Sequence, residues 1–153
     1  MSWLTTATGG ADSFAGVFRL RPNLFAAWRD FASQLWDAEL VDPTVLELCR
    51  LRIGQLHGAA CPRAGAAPPA PLDGRKRVDL ASWWHSGAYT ETERACLRFA
   101  EQFVLDAKGI ADDDAAAVTG ALGDAGTVAF IEALAILDGF ARFARILDVG
   151  GDA

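Results

Sequence analysis

Asp42-Pro43 at one end and Gly58 at the other delimit a stretch, DPTVLELCRLRIGQLHG, that has helix signals at both ends and few other ways to fold. Asp42 can accept from the orphan amides of a first turn, Pro43 suits the first helical position, and Gly58 can leave the helix in a left-handed conformation. Between them Val45, Leu46, Leu48, Cys49, Ile53 and Leu56 cover more than a third of the circumference, so the helix from Pro43 to about His57 is predicted to be mostly buried. Yet Glu47, Arg50, Gly54 and His57 form a narrow polar stripe along it. Two readings of that stripe stay open. It faces a pocket or a subunit boundary, or it is an internal Glu47–Arg50 ion pair at i, i+3 with a solvated His57.

The same signals place the other elements. A turn capped by Ser13 runs through Phe18, and Pro22 starts a helix to about Asp37 in which Leu24, Phe25, Trp28, Phe31, Leu35 and Trp36 recur at helical spacing. From Gly58 to Pro71 four prolines sit among alanine and glycine, and an interior proline costs about 3 kcal/mol in a helix, so this Pro/Ala-rich segment is predicted to be a loop. A short helix over Asp73 to Trp83 presents Val78, Leu80 and Trp83. Thr90 with Glu93 is a capping box for a helix that Gly109 stops. A short alanine-rich helix follows from Asp112 to about Leu122, its acidic triplet explained by capping and the helix dipole. The last helix, capped by Asp124, ends near Leu147 before Gly150 and Gly151. No strand pattern or phosphate loop emerges. The expectation is an all-α single domain over 13–150, preceded by a flexible arm over 1–12.

Charge and composition narrow the partners. A net charge of −6 argues against a nucleic-acid surface. No signal core or apolar run of membrane-spanning length is read in the chain, so a soluble, cytoplasmic protein is expected. Cys49, Cys61 and Cys96 have neither dithiol nor metal spacing, and no metal is expected. Five tryptophans in so short a chain predict a homo-oligomer with a partly apolar interface.

The helix ending ELCRLRIGQLHG, with ETERACLRFAEQFVLDAKGI and TVAFIEALAILDGFARFARILDV downstream and Arg21-Pro22-Asn23-Leu24 upstream, resembles the carboxymuconolactone decarboxylase and alkylhydroperoxidase D-like family over most of the chain. The resemblance implies that family's helical fold and a homo-oligomer with sites near subunit contacts. Redox members carry Glu, eleven residues, CxxC, three residues and His; counted from Glu47, those positions hold Ala59, Pro62 and Ala66, and Cys61 lies between the cysteine positions. Loss of the cysteine pair moves the implied activity toward cofactor-independent acid–base chemistry on a small carbonyl or carboxylate compound. In that reading Glu47 is the general base, His57 its acid partner and Arg50 the anchor of a substrate carboxylate or enolate. Glu101 stands where family members carry a glutamate and Asp138 where they carry a polar residue, so both join the pocket as candidate substrate-binding groups. From spacing alone, Glu101 also reads as a solvated residue of an amphipathic helix, and Asp138 as one member of an ion-pair network with Arg142 and Arg145. Two other functions stay open: a non-catalytic oligomer keeping the fold as a binding or scaffold surface, and peroxidase-type redox work by Cys61 alone through a sulfenic acid.

Overall fold

The structure, a computed structural model, describes residues 14–36, 39–59, 61–63 and 71–149. The arm over 1–12, the Ser13 cap, the Asp37 helix end and much of the Pro/Ala-rich loop lie outside the described residues. Among those described, the regular structure is helical with no strand, in six α-helices: α1 (Phe14–Phe18), α2 (Pro22–Gln34), α3 (Pro43–His57), α4 (Gly74–Asp79), α5 (Glu91–Asp106) and α6 (Asp112–Leu147). Short 3-10 stretches follow α4 (Leu80–His85) and α5 (Ala107–Gly109).

Helix α3 forms for the reasons its sequence supplies. The Asp42 carboxylate accepts the Thr44 amide at 2.7 Å, Pro43 opens the first turn, and Gly58 closes the last at φ +61°. It packs between α5 and α6, and the three helices enclose the main core around Leu46, Leu48, Ile53, Leu97, Phe130 and Leu134. Burying each such side chain contributes about 1.5–3 kcal/mol. The Thr90 capping box also forms: Thr90 Oγ1 accepts the Glu93 amide at 3.2 Å and the Glu93 carboxylate accepts the Thr90 amide at 2.8 Å. Thr90→Ala is therefore expected to cost about 1 kcal/mol. Urea unfolding checks this, and an unchanged midpoint would assign the start of α5 to its packing instead.

The structure bears out some local expectations and corrects others. The two helices read across 112–147 are both present within α6, head to tail, with the backbone leaving helical geometry between them at Gly123 (φ 68°, ψ 176°) and the second ending at Leu147. The end of α6 is formed by Asp148 in a left-handed conformation at φ 52°, ahead of the glycines. Val78 is 82% exposed, because α4 gives way to a 3-10 stretch with a non-helical Ser82 and only Leu80 and Trp83 reach the core. On α2, Trp36 just beyond its end is buried in the main core, and Phe25 and Trp28 join α1 and the end of α6 in a second aromatic cluster. Leu24 and Phe31, from the same predicted face, stay about half-exposed.

By length and composition α6 is also long and apolar enough to cross a membrane, with an 18-residue window of mean hydropathy 1.5, of which 28% is buried. This corrects the expectation that no apolar run approaches that length. The hydropathy comes partly from alanines that act as small contact residues, as the buried Ala133, Ala141 and Ala144 do.

Candidate functional site

The polar stripe of α3 is covered by the chain that follows it. A Cβ at Gly54 would lie 2.8 Å from the Ala59 carbonyl oxygen and 3.1 Å from the Cys61 nitrogen, so glycine is what lets this backbone cross the helix. The room that Gly54 leaves in the stripe is thus taken up by Ala59 and Cys61. That crossing brings the Cys61 carbonyl to Arg50 Nη1.

Glu47, 1% exposed, accepts from Arg50 through both oxygens: Nε donates to Oε2 at 2.9 Å and Nη2 to Oε1 at 2.8 Å. A second guanidinium flanks it, since Arg63 Nε lies 3.6 Å from Oε2 while the Arg63 group rests over the Trp36 ring at 4.3 Å. Two cations thus share one buried carboxylate. Such an arrangement engages both carboxylate oxygens in ion pairs, which suits a structural counter-charge better than a free base. Arg50 is likewise committed, to Glu47 and to Cys61.

His57, in the last turn of α3, lies across from α6. Its Nε2 is 2.6 Å from Asp138 Oδ1, and Asp138 Oδ2 accepts from Arg142 Nε at 2.9 Å. Arg142 also donates to the Val104 carbonyl at 3.3 Å, so α5 helps to fix the pair. His57 and Asp138 are 14% and 15% exposed, enough to leave an edge of the imidazole within reach of water. With its proton on Nε2, the ring donates to the carboxylate and presents Nδ1 as an acceptor.

Glu101 is not brought to Glu47 or His57. Its Oε1 accepts from Arg52 Nε and, at 2.9 Å, from Trp83 Nε1. Arg52 stands about 140° around the helix from Glu47, on the side facing α5. The interaction ties α3, α5 and the 3-10 stretch together. Sequence reasoning passed over Arg52 and Arg63, and read Trp36 only as one of the apolar rings of its helix, not as the ring under Arg63. The i, i+4 spacing from Asp138 did contain the signal for Arg142, whereas Arg63 lies within the proline-rich stretch, where periodicity says nothing.

Cys61 is 2% exposed, and its thiol donates to the Leu137 carbonyl at 3.3 Å. Burial pushes this thiol up from its ordinary 9.0 to about 12, against the opposing pull of Arg50 and with smaller upward pushes from Asp138 and Glu47. Cys49 and Cys96 are also free and buried, and burial raises Cys96 to about 12. Native protein at pH 8 is therefore expected to react slowly with an aromatic disulfide reagent and to release its full thiol count only when unfolded. The sign on stability follows. An unfolded thiol ionises near 9 and these folded ones near 12, so their contribution is complete below pH 9 and declines from there to about pH 12. Rapid titration of a thiol in native protein at pH 8 would refute both statements.

Among the described residues no three His, Cys, Asp or Glu side chains converge as a metal ion requires. In comparisons with known proteins, no family model matches the chain and no curated protein is matched by it.

Proposed function

We propose that this chain is a cofactor-independent acid–base enzyme acting in the cytoplasm on a small carbonyl or carboxylate compound, a divergent relative of the carboxymuconolactone decarboxylases. The observation that carries the reading is the carboxylate of Asp138, 2.6 Å from His57 Nε2 and steadied on its other oxygen by Arg142. A carboxylate in that position orients an imidazole and balances the charge it acquires on taking a proton at Nδ1. His57 is then the general base and acid, and Asp138 its positioning residue. Arg142, 52% exposed beside the pair, serves as the cation for a substrate carboxylate, the role first read for Arg50. Glu47 is the buried counter-charge shared by Arg50 and Arg63 and takes no part in the proton transfer. Proton transfer next to a carbonyl asks for no redox group.

A second reading, an oligomeric binding or scaffold protein without catalysis, is favoured by the ion-paired burial of Glu47 and by the exposure of Leu20, Leu24, Phe31, Leu40 and Val128. The redox reading through Cys61 has against it a thiol that is buried and protonated at neutral pH.

Turnover of a panel of unsaturated γ-lactones and β-keto acids, followed by carbon dioxide release and by proton exchange, tests the proposal. Activity in the parent protein that His57→Asn removes supports it. No turnover across the panel, with a particle mass above the monomer in light scattering, turns the decision toward the scaffold.

A further inference from the structure

Beyond the break at Gly123, α6 runs on as regular helix to Leu147, yet only 28% of its apolar window is buried. Val128, Glu132, Ala135, Gly139, Arg142 and Ile146 are all exposed, and they recur at alternating steps of four and three residues. At about 100° per residue they fall within an arc of about 80°, a single face about 27 Å long. Such steps mark the a and d positions by which one helix packs along another. The middle of this face has no bulk. Outside its own turns of helix, nothing among the described residues comes within 4 Å of a Cβ at Gly139. The single chain therefore gives that position no reason to be glycine, which weakens a helix interior and lets another backbone come close. The ends of the face are apolar, with Val128 and Ile146 each 58% exposed.

Read in reverse, the face is its own complement. About a twofold at the level of Leu137, an antiparallel copy sets Val128 against the partner's Ile146, Glu132 against the partner's Arg142, and Ala135 against the partner's Gly139. Each layer joins an a position to a d position, as antiparallel helices do, and the twofold repeats each match. A parallel copy would instead set Glu132 against its own likeness and Arg142 against its own, which like charges oppose. An apolar surface such as lipid tails would cover the Glu132 carboxylate without a counter-charge. Arg142 uses Nε on Asp138 and Nη2 on the Val104 carbonyl and is still 52% exposed, so the guanidinium keeps donors for a carboxylate from outside.

We infer that a second copy of this chain docks antiparallel on α6 over residues 128–146, with Glu132 of each copy paired to Arg142 of the other. This brings the partner's Glu132 to the guanidinium that the proposed reaction uses for a substrate carboxylate, and the two compete for it. The docking itself needs no substrate and is read from particle mass, so its failure leaves the proposed reaction untouched.

Sedimentation velocity of the full chain at micromolar concentration and low salt is the test. The parent should run at an even multiple of the chain mass. Glu132→Arg and Arg142→Glu should each weaken the dimer roughly a hundredfold, since each replaces two opposite-charge contacts by two like-charge ones. An equimolar mixture of the two variants should pair as the parent does, which excludes misfolding as the cause of the loss. Gly139→Gln adds a side chain where the single chain has space, so it should weaken the dimer and keep the parent's circular dichroism. The inference is overturned by a parent of odd-numbered assembly, by assembly that Glu132→Arg and Gly139→Gln leave unchanged, or by a mixture that stays monomeric. A monomeric parent also overturns it, whether free or afloat with phosphatidylcholine vesicles, in which case lipid is the occupant.

Discussion

Glu47→Gln is expected to lower stability by about 3 kcal/mol, the lower end of the ~3–5 kcal/mol that follows when one partner of a buried ion pair is removed. Glutamine keeps the shape and loses the charge. Arg50 and Arg63 are then left facing each other across a neutral amide, with only 12% of either side chain exposed. That residual exposure lets water screen part of the repulsion, which is why the lower figure applies. Replacing the pair together, Glu47→Leu with Arg50→Met, should recover part of the loss, because it removes a buried charge on both sides. Urea unfolding of the three proteins decides the matter. A Glu47→Gln loss below about 1 kcal/mol would mean that the carboxylate is not the counter-charge described here and would return it to the list of candidate bases.

His57→Asn and Asp138→Asn should have the opposite profile. If His57 transfers the proton, losing it removes the roughly 10²–10⁴-fold that a positioned acid–base group supplies. Asp138→Asn should fall within the same range, because an amide can turn the wrong edge toward Nε2 and cannot balance an imidazolium. The structural cost of either should be about 1–2 kcal/mol, since the pair keeps some access to water and α3 is held by its apolar contacts. The diagnostic result is therefore a collapse of kcat with a nearly unchanged Tm. A large fall in Tm with kcat preserved on a confirmed substrate would make His57–Asp138 a helix latch and leave the proposed chemistry without its base.

What the sequence showed, and what it did not, divides by range. The caps of α3 and α5 were legible because Asp42 with Pro43, and Thr90 with Glu93, act on their own helix within a few residues. The Glu47–Arg50 pair was legible as one of two readings for the same reason. Helical spacing groups Leu24, Phe31 and Trp36 on one face but cannot say where neighbouring elements stop covering it. The approach of Ala59 and Cys61 to Gly54 was hidden because prolines end the periodic signal at Gly58. Glu101 was placed by analogy of position, and the side chain that claims it, Arg52, lies on a different face of α3. Asp138 came into view through the same kind of analogy and does meet His57, across a separation that no local pattern encodes.

That separation bears on the order in which the molecule is made. Arg50 reaches the Cys61 carbonyl over 11 residues of chain, whereas His57 meets Asp138 over 81. Closing the longer loop costs more entropy and rewards nothing until α6 has docked. During synthesis, α3 and its ion pair can be complete while the imidazole still lacks its carboxylate. Any proton-transfer capacity is therefore acquired late, when the ribosome has released the final helix, and a nascent or truncated chain ending before Asp138 carries the histidine without the means to orient it.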